Sequence, residues 1–356
     1  LASQLFIVWY NIYSFNKMKR GIQFVFFVVS LIIFSSCSNV QKKSYENWSG
    51  EVFGTFYNIK FDASEAEGVT QEGLDSVFAR VNHSLSMFEP TSLISRVNQN
   101  DSTVILDSLF LVVFEAGKRV FEETDGAFDM TVAPLVNCWG FGFKKSDSVT
   151  KEQVDSLMQF VGSDKVRIVG GRVEKENPLT MLDASAIAKG FSCDCVANYL
   201  ASKGCANFMI EVGGEIVCKG LNEKGREWTI GITKPTEDNA IDRPDLQEVI
   251  KMTDCGMATS GNYRQFYYKD GKRFSHTVNP KTGYPVEHNL LSATVIMPDC
   301  MMADAFATSF MVLGLDRSFE IASSHPEMAA YFIYEDSDKT LQVKYTDSFQ
   351  KYFLEK

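Results

Sequence analysis

Asp304 and Thr308 lie four residues apart in Met301 to Leu313, a stretch with helical spacing that opens at Pro298-Asp299 and ends near Gly314. That spacing puts a carboxylate and a hydroxyl on one helical face, away from Phe306, Phe310 and Leu313. Two hard oxygen donors suit Mg2+ and suit neither zinc nor copper. The same pair also suits a structural arrangement, an acid favoured by the dipole in a first turn and a threonine bonding back to a carbonyl. Lys189 brings a cation into the run Leu182 to Gly190. There Asp183 stands at the place of a helix N-cap, behind an apolar stretch (Leu179, Met181, Leu182) that reads as a strand. A helix start presents unpaired N–H groups and a positive dipole end, a seat for phosphate to which Lys189 adds charge. A capped helix packed on a sheet, with Lys189 in water, explains the same residues. His276 alternates onto one strand face with Phe274 and Val278, which fits either a proton carrier or a satisfied core histidine.

The elements that must position these groups are legible from periodicity. Glu51 to Phe61 alternates as a first strand, interrupted by Gly54 at an expected bulge or close approach. Three- and four-residue apolar spacing predicts helices over Glu72 to Leu85 and Ser108 to Thr124, with a turn and a short helix between them at Ser86 to Asn98. Thr124 to Pro134, leading to Trp139-Gly140-Phe141-Gly142, is either a packed corner or a wall for a flat ring, with backbone groups of Ala127 to Asp129 reading its polar edge. Strands follow at Phe208 to Val212, turning at Gly213-Gly214, and at Trp228 to Thr233. Pro235 to Asp245 is a polar surface excursion. After Ala258 to Tyr263, a strand to Tyr268, an Asp270-Gly271 turn and a return strand Lys272 to Val278 form a hairpin. A last strand, Leu291 to Met297, leads into the helix of Asp304. No internal repeat is visible.

The N-terminus reads as an address rather than a fold. Met18-Lys19-Arg20 followed by the apolar run Ile22 to Phe34 has the basic and apolar regions of a secretory signal, too short to span a bilayer comfortably. Phe34-Ser35-Ser36-Cys37 resembles the lipobox of bacterial lipoproteins, which makes Cys37 the lipidated residue and Met18 the expected start. Whether the run is cleaved or kept as an anchor, the body is expected outside the cytoplasm. The expected organisation is residues 1–36 as upstream residues plus signal peptide, 37–49 as lipidated cysteine and tether, and 50–356 as the catalytic domain. Residues 1–36 hold Lys17, Lys19 and Arg20 and no acid, so their removal lowers the formal charge of −10 by three. Such an acidic body argues against nucleic acid as a partner. With Cys37 set aside, an odd number of cysteines without C-x-x-C spacing makes neither a disulfide framework nor a zinc site, and buried free thiols are expected.

Taken in order, several blocks resemble the ApbE family, the FAD:protein FMN transferases. They are Gly54-Thr55; Gly126 to Val132 with Pro134-Leu135-Val136 and Trp139 to Gly142; Asp183 to Gly190; and Val212-Gly213-Gly214-Glu215-Ile216. Thr259 to Tyr263, His276 with Pro280 to Pro285, and Ala303 to Thr308 complete the set. The resemblance covers roughly residues 50 to 345, and its joint pattern is far more specific than any single block. It implies an α+β fold, a single catalytic domain with mixed β-sheets and peripheral helices, behind a lipoprotein signal peptide.

The resemblance further implies that Phe53, where the family often has Met, and Phe88, where it often has Tyr, contact the flavin. Ala127, Phe128 and Asp129 would line the FAD, with Asp183, Lys189 and Thr277 or Val278 as further contacts. Mg2+ would take the main-chain oxygen of Ala186 and the side chains of Asp304 and Thr308. Asn279 stands where the family commonly has Asp, and Lys281 where it has Arg. The implied reaction moves FMN from FAD to a Ser or Thr hydroxyl of an extracytoplasmic acceptor flavoprotein, forming a phosphoester and releasing AMP. His276, Asp304 and Lys189 would be its catalytic groups, His276 receiving the hydroxyl proton. Acceptors would be electron-transport subunits or secreted reductases. Water as acceptor would give an FAD pyrophosphatase, and binding without chemistry an FAD-storing lipoprotein.

Overall fold

A computed structural model of the protein describes residues 43–141, 149–235, 245–262, 266–269, 272–275 and 277–354. Strands β1 (Tyr45–Val52) and β2 (Thr55–Asp62) pair antiparallel from the first described turn of chain. They are joined by Phe53-Gly54, both at positive φ (53° and 72°), the conformation of the tight turns that match strand twist. Gly54 therefore closes a hairpin rather than bulging one strand. β1 also starts at Tyr45, inside the span expected to be a tether.

Helices α1 (Gln71–Leu85), α2 (Leu93–Asn98) and α3 (Ser108–Glu123) follow, capped by Thr70, Ser92 and Asp107 through bonds from the N–H groups of Gly73, Ser95 and Phe110. Next come α4 (Ala133–Cys138) and α5 (Lys151–Met158), then the small hairpin β3 (Val166–Val169) with β4 (Arg172–Lys175). Helix α6 (Ala188–Ser202) leads to β5 (Phe208–Val212) and β6 (Glu215–Lys219). The remaining elements are β7 (Trp228–Thr233), β8 (Leu246–Met252), β9 (Cys255–Gly261), β10 (Phe266–Lys269), β11 (Lys272–Ser275), β12 (Leu290–Met297), α7 (Cys300–Leu313), α8 (Leu315–Ser324), β13 (Ala329–Glu335) and β14 (Leu341–Tyr345).

Eight strands make one sheet in the order β1-β2-β5-β6-β9-β12-β13-β14. Every strand pair among the described residues is antiparallel, which corrects the expectation of mixed sheets: each connection, hairpin or longer excursion, re-enters the sheet at the end where it left. Both faces of the sheet are covered. Ala293, Val295 and Met297 of β12 join the core under the helices, while Ile296 faces the opposite core, with Trp228 and Ile230 of the β7–β8 ribbon and Phe349 near the C-terminus. A strand covered twice is apolar throughout, and all of β12 is buried.

Helix α7 is the centre of the helical layer. It packs on β9, β12 and α6, and 11 of its 14 residues are buried, so an acid within it needs a specific partner. Two contacts seat it. Gly190 of α6 lies so close that a Cβ there would fall 2.3 Å from the Cys300 carbonyl oxygen, and only glycine permits that approach. Asp194, one helical turn on, accepts from the backbone N–H groups of Cys300 (3.0 Å) and Met301 (2.8 Å) at the start of α7. No helix among the described residues is long and apolar enough to cross a membrane.

Candidate active site

The expected strand before Asp183 is not formed, and Asp183 is not an N-cap. Leu182 is instead held by the Asn98 side-chain amide, which accepts its N–H and donates to its carbonyl at 2.8 Å each, and Asp183 donates its N–H to the Met130 carbonyl at 2.6 Å. The Asp183 carboxylate accepts from Ser185 N–H at 2.7 Å, an Asx turn that delays the helix until Ala188, with Ile187 at the N-cap position making no side-chain bond. The turn places Ala186 just ahead of α6 and Lys189 in its first turn.

At this helix start α6 and α7 exchange a polar contact. The Asp304 carboxylate, 2% exposed, accepts the Gly190 N–H through Oδ2 at 3.0 Å, so it satisfies one of the free donors at the start of α6. Its other oxygen faces the Lys189 ammonium at 3.9 Å, an ion pair without a hydrogen bond. Lys189 reaches Glu215 directly, Nζ to Oε1, at 2.5 Å. Burial works against the lysine charge, yet the carboxylates of Asp304 and Glu215 hold it on, well above the ordinary lysine range. Burial pushes Glu215 up to about 7, against the opposing pull of Lys189. Asp194 is likewise pushed up to about 7 by burial, in spite of its two backbone donors.

One turn further along α7, Thr308 Oγ1 lies 3.1 Å from Ser260 Oγ on β9. The structure thus places Lys189 beside Asp304 where α6 begins, with Thr308 one turn further along α7 and Ala186 in the turn that enters α6. These donors fit a hard cation: Asp304 keeps one oxygen outside any hydrogen bond, and Thr308 and a main-chain carbonyl complete an all-oxygen set. Among the described residues no group of three or more His, Cys, Asp or Glu could hold a metal ion, so any such site is of this mixed kind.

The other expected residues are placed as follows. Phe53, half-buried in the β1–β2 turn, meets Phe78 edge-on at 5.8 Å, while Phe88 is 76% exposed. Ala127 and Phe128 are buried, Phe128 in the helical core, and their N–H groups donate to the Thr124 carbonyl and Oγ1, each at 3.1 Å. The Asp129 carboxylate is occupied by Thr131, whose N–H and Oγ1 donate at 2.7 and 2.6 Å, and by Ser163, whose Oγ donates at 2.8 Å. Burial raises its pKa, and these donors pull it back. Thr277 and Val278 are buried, with Val278 bridged to Pro285. Lys281 pairs with Asp125 at 2.7 Å on the surface. A cleft of about 310 Å3 runs between Phe121, Gly126, Asp129, Gly162 and Lys281; it includes Asp129 but none of Lys189, Asp304 or Thr308. His276, Gly142 and Cys37 lie outside the described residues.

Two residues with no role assigned from sequence belong to the cluster, Glu215 and Ser260. A signal for Glu215 was present: an acid directly after Gly213-Gly214 and ahead of the apolar run Ile216 to Cys218 faces burial. Ser260 carries no such signal, since a serine in a strand fits either face.

A buried carboxylate, a hydroxyl and a lysine–glutamate pair gather near the start of α6. The chain belongs to the ApbE family, whose model matches residues 53–332. It is 37% identical over 305 residues to the FAD:protein FMN transferase of Vibrio cholerae, covering 84% of this chain and 90% of that one. To the protein of the same name from Haemophilus influenzae it is 35% identical over 347 residues, 94% and 98% of the two chains. Among solved structures, the flavin transferase ApbE of Vibrio cholerae superposes with a TM-score of 0.78 at 36% identity, over 87% of this chain and all of that one.

Proposed function

We propose that this chain is an FAD:protein FMN transferase that moves FMN from FAD to a Ser or Thr hydroxyl of an extracytoplasmic flavoprotein, with Mg2+, releasing AMP. The observation that carries it is the meeting of Lys189 and Asp304 at the start of α6, in a chain whose relatives bear that name. In the transfer, the acceptor oxygen bonds to the flavin-side phosphorus, the bond from that phosphorus to the bridging oxygen breaks, and AMP leaves with the electron pair. Bound Mg2+, held by the Ala186 carbonyl, Asp304 and Thr308, would neutralise diphosphate charge. Lys189 adds a fixed cation at the same end, and positioning of the two reactants contributes much of the rest. His276 would take the hydroxyl proton. Phe53 and Phe88 would meet the flavin ring, and the backbone of Ala127 to Asp129 together with Asp183, Thr277 and Val278 would hold the remainder of FAD.

The address belongs to the same reading: lipid on Cys37 would tether the body outside the cytoplasm, where its acceptors reside. The test mixes the protein with FAD, Mg2+ and an acceptor bearing a Ser/Thr flavinylation motif, then measures acceptor mass and AMP. An acceptor heavier by one FMN with matching AMP is expected. Free FMN with AMP and an unmodified acceptor would make the enzyme an FAD pyrophosphatase, and intact bound FAD would make it a storage protein.

A further inference from the structure

Glu215 is a buried acid in the site with no part in the reaction as described. It opens β6 directly after the Gly213-Gly214 turn and is 4% exposed. Its Oε1 accepts from Lys189 at 2.5 Å, while its Oε2 is buried with no hydrogen-bond partner. A carboxylate withdrawn from water in this way is poorly compensated by one partner, and an apolar side chain would serve packing better. The sheet tolerates the group here, and its one polar service is to Lys189.

The two ends of this pair differ in access. The Lys189 side chain is 35% exposed and that of Glu215 6%, so a ligand arriving from solvent meets the lysine before the glutamate. The lysine stem runs along the turn: a Cβ on Gly213 would lie 3.5 Å from Lys189 Cδ and 2.9 Å from Thr55. Beyond the stem, Nζ stands between Glu215 at 2.5 Å and Asp304 at 3.9 Å.

From this geometry we propose that Glu215 is a positioning residue, a rear anchor that holds the Lys189 ammonium beside Asp304, where the diphosphate of FAD must lie. The assignment rests on the FAD reading above. A lysine on a free four-carbon stem samples many rotamers, and an anchored one meets its anion with that entropy already lost. When a cation takes the free oxygen of Asp304, the lysine loses that partner's attraction, and Glu215 alone keeps it in place.

The test is a double-mutant cycle, Glu215→Gln and Lys189→Met singly and together, read by FAD fluorescence in titrations with and without Mg2+, with melting curves as a check on folding. Each single variant should bind FAD roughly tenfold more weakly, the loss expected for one charge-assisted bond. The double variant should be no weaker than Lys189→Met alone, because the glutamate acts only through the lysine. FAD affinity unchanged in Glu215→Gln, or losses that multiply in the double variant, would overturn the assignment. Should Glu215→Gln fail to fold, Glu215→Asp keeps the charge but withdraws it by one carbon. The same loss of affinity is expected there, and wild-type affinity would again refute the anchor. Transfer by the wild type is scored separately: absence of transfer with an intact cycle defeats the proposed function alone, and normal transfer with an additive cycle defeats the anchor alone.

Discussion

Asp304 bonds Gly190 through one oxygen and is proposed to hold the metal with the other, and the two roles can be separated by measurement. Removing the carboxylate leaves the Gly190 N–H unpaired at a buried helix start, which costs roughly 1–3 kcal/mol. Asp304→Ala should therefore lower the melting temperature and also abolish Mg2+-dependent turnover. Asp304→Asn, which keeps an oxygen for Gly190, should recover most of the stability without the turnover. Unchanged activity of either variant at limiting Mg2+ would remove Asp304 from the metal set. The thiols provide a second test at this scale. Burial pushes Cys195 up to about 12 and Cys255 up to about 11, and Cys193, Cys218 and Cys300 are raised by the same cause. A thiol with such a pKa is almost wholly protonated at pH 8 and is a poor nucleophile. Of the seven free cysteines of the body only Cys138 and Cys195 are half-buried, so Ellman's reagent should find Cys138 first, Cys195 slowly because its pKa is pushed up to about 12, and the five buried thiols only after denaturation. Rapid reaction of several native thiols at pH 8 would contradict this packing.

The α6–α7 crossing is the element on which the site depends, and Gly190 is its closest point. A methyl group there meets the Cys300 carbonyl carbon at 2.7 Å and Asp304 Cβ at 2.8 Å, and backbone cannot rotate away as a side chain can. Gly190→Ala should push the helices apart, costing about 1–3 kcal/mol, and should weaken FAD binding more than its stability loss accounts for. A melting curve and an FAD titration on one preparation check both. Full FAD affinity in that variant would show that the Lys189–Asp304 distance is not set by this crossing. The turn at Asp183 shows why helix starts misled the sequence reading. Asp183 does bond to the backbone two residues on, as an N-cap would, but it closes a local turn and the helix begins five residues later. Asx turns and caps use the same residue types, and only the following dihedrals separate them.

At the scale of the molecule, residues 44–356 form one compact unit, and the boundary tests the role of β1. A chain beginning at Ser44 should keep the melting temperature and FAD affinity of the whole body. One beginning at Gly50 loses Tyr45 to Ser49, and with them the edge-on contact of Trp48 with Phe61 at 5.0 Å. That deletion strips the edge strand from β2 and should cost about 2–4 kcal/mol, read as a lower denaturant midpoint. Equal midpoints for the two chains would mean that the tether extends through β1 after all.

Taken alone, the sequence determined the chemistry on offer: which oxygens, which lysine, which glycine turns, and the amphipathic helices that carry them. These are local properties, set by residue type and by spacings of two and 3.6, and the order of the blocks was enough to mark the family. Tertiary structure decided what meets what. That Lys189 and Glu215, 26 positions apart, share a hydrogen bond depends on the Gly213-Gly214 turn lying against the start of α6. That Asp304 completes the start of a helix 114 residues earlier depends on how closely α6 approaches α7. Spacing along the chain carries no information about such approaches, because they follow from the packing of a doubly covered antiparallel sheet. Burial of Glu215 has the same origin: its cost and its use both exist only once the site has closed around it.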